Sequence, residues 1–304
     1  PGEFNKYAKK YLNIAKPITK TEEYVTVTDA VINCHGEADA EKKYIIQFKS
    51  GSSPFINIDG NNSPLSINTD ETIDISFTEL PEAPATMVNP LETPAAHQAV
   101  TQEMIQSSSS AKRAELAAAR IYELREARNE IISGQSDQSF PDGEALRLAL
   151  DNLSAQEAAL VAMFAGTTTI TYEERTISYT PGDEDVTDKV IARISPTDGF
   201  IPVNNLAGEP VYLSMHIDSH GELPVNEKGV VKSFPKGGLA YTIPGKATFK
   251  VKYDNRTIAS GAFDIAQLGV TFGLDPGLFS SKKTPAFAIF NPATGAIVTL
   301  GTNQ

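Results

Sequence analysis

Between residues 111 and 166 the chain carries two apolar stripes at helical spacing, joined by a few turn residues. Ala117, Ile121, Leu124 and Ile131 mark the first, with Ala127 filling the gap. Its other faces are charged, from Lys112, Arg113 and Glu115 through Arg120, Glu123, Arg125 and Glu126 to Glu130. Gly134 is placed as a C-cap, and Pro141-Asp142-Gly143 opens a second helix. Leu146, Leu150, Leu153, Leu160 and Phe164 stripe that helix, and Gly166 stops it. Ser154 and Glu157 have the spacing of a capping box, which allows a break inside it. A short connection favours antiparallel neighbours whose stripes pack on each other.

On either side of this hairpin the pattern changes to strands. Residues 1–68 read as a β-rich unit with one short helix over 5–12. Strands are expected at 21–32, 44–48, 55–58 and from Leu65, with Asp59-Gly60-Asn61-Asn62 as a hairpin turn. Residues 69–110 contain Pro81, Pro84, Pro90 and Pro94 and end in a serine run, which predicts an extended connector with an edge strand at 72–77. After the helical stretch 111–166, residues 167–304 form a C-terminal β domain. Ile170 and Tyr172 fall at even positions but Ile177 and Tyr179 at odd ones, so a bulge or turn lies near 173–175. Further strands are predicted at 189–194, 210–216, 239–243, 247–253, 257–265, 287–290 and 296–300. Stretches 55–68 and 287–302 each read strand, turn, strand, as if each closed a similar β unit on its own side of the helices. The expected fold class is α+β: two β-rich units, sandwich or barrel-like, flanking an antiparallel helical hairpin.

Charge narrows the function classes. In 304 residues there are 26 basic and 38 acidic side chains, a formal net charge of −12. Such a chain lacks the basic footprint of a phosphate-tracking nucleic-acid binder or of a protein that docks electrostatically on anionic membranes. No apolar run is long enough to span a bilayer. The single cysteine, Cys34, excludes an intrachain disulfide and a multi-thiolate metal site.

The sharpest candidate for chemistry is His216-Ile217-Asp218-Ser219-His220. On a strand, positions i, i+2 and i+4 share a face, so two imidazoles and a carboxylate have the alternation of a zinc site. Ser219-His220-Gly221 reads as a strand end where that alternation fails, so His216, Asp218 and His220 are not expected to converge. Cys34 and His35 are adjacent and diverge on a strand, which suits a structural cysteine better than a nucleophile. Asp183, Glu184, Asp185 and Asp188 make an acidic loop with calcium-compatible ligands, explained more simply as a solvated turn after Pro181-Gly182. The segment 57–61 echoes a calcium loop with its glycine misplaced. Gly245-Lys246 lacks the rest of a phosphate loop. With four histidines and no Gly-x-Ser-x-Gly elbow, nucleophilic hydrolysis has no motif. No catalytic, cofactor-binding or metal residue is assigned, and no cofactor is expected.

Several stretches in order resemble a known family: Lys6-Tyr7-Ala8-Lys9-Lys10-Tyr11-Leu12, Ile131-Ile132-Ser133-Gly134, Phe164-Ala165-Gly166-Thr167, and Tyr179-Thr180-Pro181. The series continues with Gly208-Glu209-Pro210-Val211-Tyr212, Gly238-Leu239-Ala240-Tyr241-Thr242-Ile243-Pro244, Ala266-Gln267-Leu268-Gly269 and Asn291-Pro292-Ala293-Thr294-Gly295-Ala296. Over nearly its whole length the chain resembles an uncharacterised domain-of-unknown-function family of exported Bacteroidetes proteins. The resemblance implies export to the periplasm or cell surface, with a signal segment and a first strand missing ahead of Pro1-Gly2. It brings no catalytic residues. The expected function is therefore a structural or interaction role in the cell envelope, more in keeping with a non-enzyme. The alternatives are a glycan- or peptide-binding module, or a carboxylate-dependent hydrolase. A protein or glycan partner is expected, nucleic acid is not.

Overall fold

The computed structural model describes residues 1–48, 54–137 and 139–302. The fold is α+β, with two antiparallel sheets and a pair of long packed helices. By contacts the chain divides into two compact units, each built from two segments: Pro1–Glu23 with Glu82–Arg175, and Tyr24–Pro81 with Thr176–Gln304. Residues 1–68, read from sequence as one β-rich unit, thus contribute to both.

The first unit is helical. Short α1 (Ala8–Leu12) follows a 3-10 turn and ends at Asn13 in the left-handed region. Pro90 and Pro94, read as breakers, instead start helices: a 3-10 turn at Pro90–Glu92 and α2 (Pro94–Ala99). Proline suits these first positions because its missing N–H is one of the donors a helix start leaves unpaired. The Asn89 side chain caps the first by accepting from Leu91 N, and Thr101 caps α3 (Gln102–Gln106) by accepting from Met104 N. The extended reading of 69–110 therefore fails in its second half, and 72–77 is not a strand.

The two long helices form as expected. α4 (Ser110–Ser133) starts at a Ser109 cap and ends at Gly134, whose φ of 72° only glycine adopts without strain. α5 (Gly143–Ala165) starts at an Asp142 cap and runs unbroken. Glu157, with Ser154 a candidate capping box, instead accepts from Arg125 Nε and pairs with Arg128 Nη1, both at 2.6 Å. These pairs fix the antiparallel register of the two helices. Ala114, Ala117 and Ala118 let the backbones approach, and Ile121, Leu124, Leu160 and Phe164 fill the core with Phe4 and Met104. Phe4 stacks obliquely on Phe164 at 5.3 Å. Ile131, Leu146 and Leu150, at the other end of the pair, are only half-buried. The short helices cover the first end and not the second.

The second unit holds both sheets. The smaller joins β1 (Ile56–Ile58), β2 (Pro64–Ile67), β8 (Ala286–Phe290) and β9 (Ile297–Thr302) in the order β1-β2-β8-β9. The two hairpins expected to close separate units are thus one sheet, paired through Ser66↔Ile289 and Ile67↔Ala288. A two-stranded hairpin cannot bury a face alone, and four strands can. Asn68 reinforces the join, donating through Nδ2 to the carbonyls of Ala286 and Phe279.

The larger sheet has the order β4-β3-β5-β6-β7, from β3 (Val186–Ser195), β4 (Gly199–Ile201), β5 (Glu209–Ser219), β6 (Leu239–Tyr253) and β7 (Arg256–Leu274). Asp254 and Asn255 both take positive φ, as the two-residue turn between β6 and β7 requires. Segments 239–243 and 247–253, read as two strands, are one strand bent at Pro244. There the register jumps from Ile243↔Val270 to Gly245↔Ile265, looping out Ala266-Gln267-Leu268-Gly269. Gly221 donates to Leu268 O at 2.9 Å and closes the bend. A Cβ at Gly221 would lie 1.9 Å from Ile243 O, and one at Gly269 2.4 Å from the same atom, so only bare backbones can cross here. Beyond the bend, Leu239, Tyr241 and Leu274 pack on the smaller sheet's core.

Two expected strands in the first part of the chain, 21–32 and 44–48, make no ladder, and neither does 167–179. Alternation nevertheless holds over parts of them, at Ile32 and Cys34 and at Ile46 and Phe48. Val27, Ile32, Cys34 and Tyr179 pack on the larger sheet's core, and Ile46 and Phe48 on the smaller's. Among the described residues the backbone is tied at isolated points, such as Val25 N to Pro196 O and Gln47 N to Gly237 O.

Candidate functional site

The larger sheet buries one face: Ala192, Ile194, Leu213, Met215, Ala247, Phe249 and Val251 form its core. Because strand side chains alternate, the intervening residues of β5 and β6 face the other way. There Ser214 lies opposite Lys250, and His216 opposite Thr248. With Asp185, Thr187 and Asp218 they line an open groove of about 390 Å³.

Two irregularities shape the groove. β3 bulges between Val186 and Lys189, and Asp188 there takes a φ of 47°, unusual for a residue with a side chain. The bulge is held from β5 and β6: Asp188 N donates to Ser214 Oγ of β5 at 3.0 Å, and Lys252 Nζ of β6 lies 3.8 Å from Asp188 Oδ1. β5 bulges between Ile217 and Ser219, so alternation fails at Asp218. Asp185 bridges the two strands. Its Oδ1 accepts from Ile217 N at 2.7 Å, and its Oδ2 lies 2.9 Å from His216 Nδ1. The backbone donor first and the histidine second hold the Asp185 carboxyl below its ordinary value.

The residues singled out in the sequence therefore go separate ways. His216 turns to Asp185, Asp218 accepts from Thr248 Oγ1 at 2.7 Å, and His220 lies past the strand end, exposed. Of the acidic loop, Asp185 and Asp188 hold strands together, while Asp183 and Glu184 are exposed. Among the described residues no group of three or more His, Cys, Asp or Glu side chains is placed to hold a metal ion. Asp59 turns its carboxylate inward on its own turn, accepting from Asn61 N and Ser63 N. Lys246 sits within β6, 4.0 Å from Asp264. Cys34 packs against the large sheet's core; burial first, and Asp264 second, push its thiol up, so it stays protonated and unreactive near neutral pH. His35 is exposed beside Glu37 at 3.8 Å.

A second feature was not legible as a site in the sequence. The segment around Tyr44 lies against 234–237, and four rings follow one another: Tyr44 stacks on Phe234, Phe234 meets Phe272 edge-on, and Phe272 meets Tyr241 edge-on. Tyr44 and Phe234 are 190 residues apart in the chain, so no local pattern joins them. Among the described residues no helix is long and apolar enough to cross a membrane.

Neither the curated proteins nor the solved structures contain a match to this chain. A family model described as domain of unknown function (DUF4831) matches residues 1–298, and the chain belongs to that family.

Proposed function

We propose that this is an exported protein of the cell envelope that acts by interaction and not by catalysis. The observation that carries this reading is how the groove on the larger sheet is used. Asp185, Asp188, His216 and Asp218 each hold a neighbouring strand or side chain, so their hydrogen bonds serve the β3–β5–β6 contact. Asp185 orients His216 through Nδ1 and leaves Nε2 free, but among the described residues no serine, threonine or cysteine side chain hydrogen-bonds to the ring for it to activate. The export half of the proposal rests on the family resemblance in the sequence.

Fractionating cells that express the protein from its native gene tests the first half. The reading expects the product with periplasmic or outer-membrane markers, and recovery with cytosolic markers contradicts it. Incubation with chromogenic glycosides, esters and peptides tests the second half. Turnover that disappears in His216→Ala or Asp185→Asn would contradict a non-catalytic role.

A further inference from the structure

We infer that the outer edge of β7 is a self-association site, where a second copy of this chain adds its own β7 in antiparallel register centred on Ala262. This goes beyond the interaction reading above and stands on a different part of the structure.

β7 closes the larger sheet on one side, so alternate residues of it point backbone N–H and C=O groups away from β6. From Ala259 to Ile265 it pairs with β6 without a break, opposite Val251 to Gly245. The register slips on both sides of this run, at Ile258 and at the looped-out 266–269, so the flat edge is these seven residues. Among the described residues no backbone hydrogen bond from outside β6 reaches them. Exposed sheet edges are ordinarily guarded by short strands, bulges, lysine or proline. The opposite edge of this sheet is guarded: β4 has three residues, and β3 has two register breaks, with Asp188 left-handed at the first. The β7 run carries none of these devices. It reads Ala-Ser-Gly-Ala-Phe-Asp-Ile, and its one charge, Asp264, has Lys246 4.0 Å away.

The same run is complementary to itself. A twofold axis through Ala262 is the placement that pairs all seven residues, and it keeps each face together because facing residues differ by an even number of positions. On the outer face Ser260, Ala262 and Asp264 are exposed. There Ala262 meets Ala262, and each Ser260 hydroxyl lies opposite the Asp264 of the second copy, as a donor to its carboxylate. The two Asp264 carboxylates stand four residues apart along the ladder, roughly 13 Å, beyond a Debye length of about 8 Å. On the inner face Gly261 lies opposite Phe263 and Ala259 opposite Ile265, small against large both times. An unrelated extended peptide would find the same backbone groups without this match of side chains. Because the other edge is guarded, pairing stops at a closed dimer and does not run on into a filament.

Sedimentation equilibrium of the whole chain up to about 0.5 mM tests the inference, since one added strand makes a small interface and a weak association. The expected result is a reversible dimer. Ala262→Lys sets two ammonium groups opposite each other and should weaken dimerisation about tenfold or more, as should Ala262→Asp. Mixing the two variants should restore it. Ala262 is exposed in the single chain, so unchanged melting separates lost pairing from lost folding. Ala262→Cys should give a disulfide-linked dimer on mild oxidation, because residues facing each other across the twofold lie about 4.5–5.5 Å apart at Cα. Ser260→Cys should not, and wild type, with Cys34 packed on the core, is the control. Monomer alone at the highest concentration overturns the inference. So does a dimer indifferent to Ala262→Lys, a mixture no tighter than its components, or Ser260→Cys cross-linking as readily as Ala262→Cys. Each of these results leaves the interaction reading intact.

Discussion

The helical unit and the sheet unit bury comparable side chains by different means. In the first, each helix carries its own instructions: Ser109 and Asp142 cap the starts, Gly134 ends α4, and the stripe between them names the buried face. In the second, burial and pairing come apart. Ile32 and Cys34 alternate inward like strand residues, yet their segment pairs with no strand among the described residues, whereas Ser66 and Ile67 pair with a strand more than two hundred residues away. A helix closes its hydrogen bonds within four residues, so its pattern and its bonding are one signal. A strand borrows its partner from elsewhere, so alternation reports a buried face and nothing more.

Four substitutions probe that contrast. Phe164→Ala, which empties the position against Phe4 and Leu160 in the helical core, should cost about 4 kcal/mol; a urea midpoint near wild type would show that this core is not what holds the unit. Gly221→Ala forces a methyl against Ile243 O at the β6–β7 bend and should cost about 3 kcal/mol, although the added group is apolar and small. A neutral result would mean that the crossing backbones have room to part. Leu150→Ala, at the half-buried end of α5, should cost only about 1 kcal/mol, well below Leu124→Ala on the buried stripe. Equal losses would mean that both ends of the hairpin are equally packed.

The smallest effect concerns Asp185. Its carboxyl is held below the ordinary value in the folded state, so its stabilisation is present above the unfolded-state value of about 3.9 and is lost as pH falls through the folded value. Asp185→Asn should therefore flatten the acid limb of the stability profile slightly and leave neutral pH behaviour close to wild type apart from the lost acceptor. Parallel acid limbs for the two proteins would show that the Ile217 and His216 bonds do not form in solution.

Most of the helical unit and most paired strands were legible from periodicity and turn residues such as Asp254-Asn255. Pro90 and Pro94 were misread because a proline that ends one element and one that begins the next look alike without the caps around them. The smaller sheet was half legible: both hairpins could be named, but not their joining, which depends on Ser66 and Asn68 meeting residues far along the chain. The strand-end reading of Ser219-His220-Gly221 matches the end of β5 at Ser219, because glycine after two polar residues marks an ending, but the bulge at Asp218 where alternation fails was not legible. The partners of His216 and Asp218 were not legible, since Asp185 and Thr248 come from neighbouring strands. Nor was the ring pair, for the same reason of distance.

Hydrogen exchange read residue by residue tests the separation of burial from pairing most directly. The account predicts that amides over 24–34, apart from the bonded Val25, exchange orders of magnitude faster than those of Leu213, Met215 and Phe249 in the β5–β6 ladder, despite the inward packing of Val27 and Ile32. Protection across 24–34 equal to that of β5 and β6 would contradict it, because it would mean that this segment is a paired strand after all.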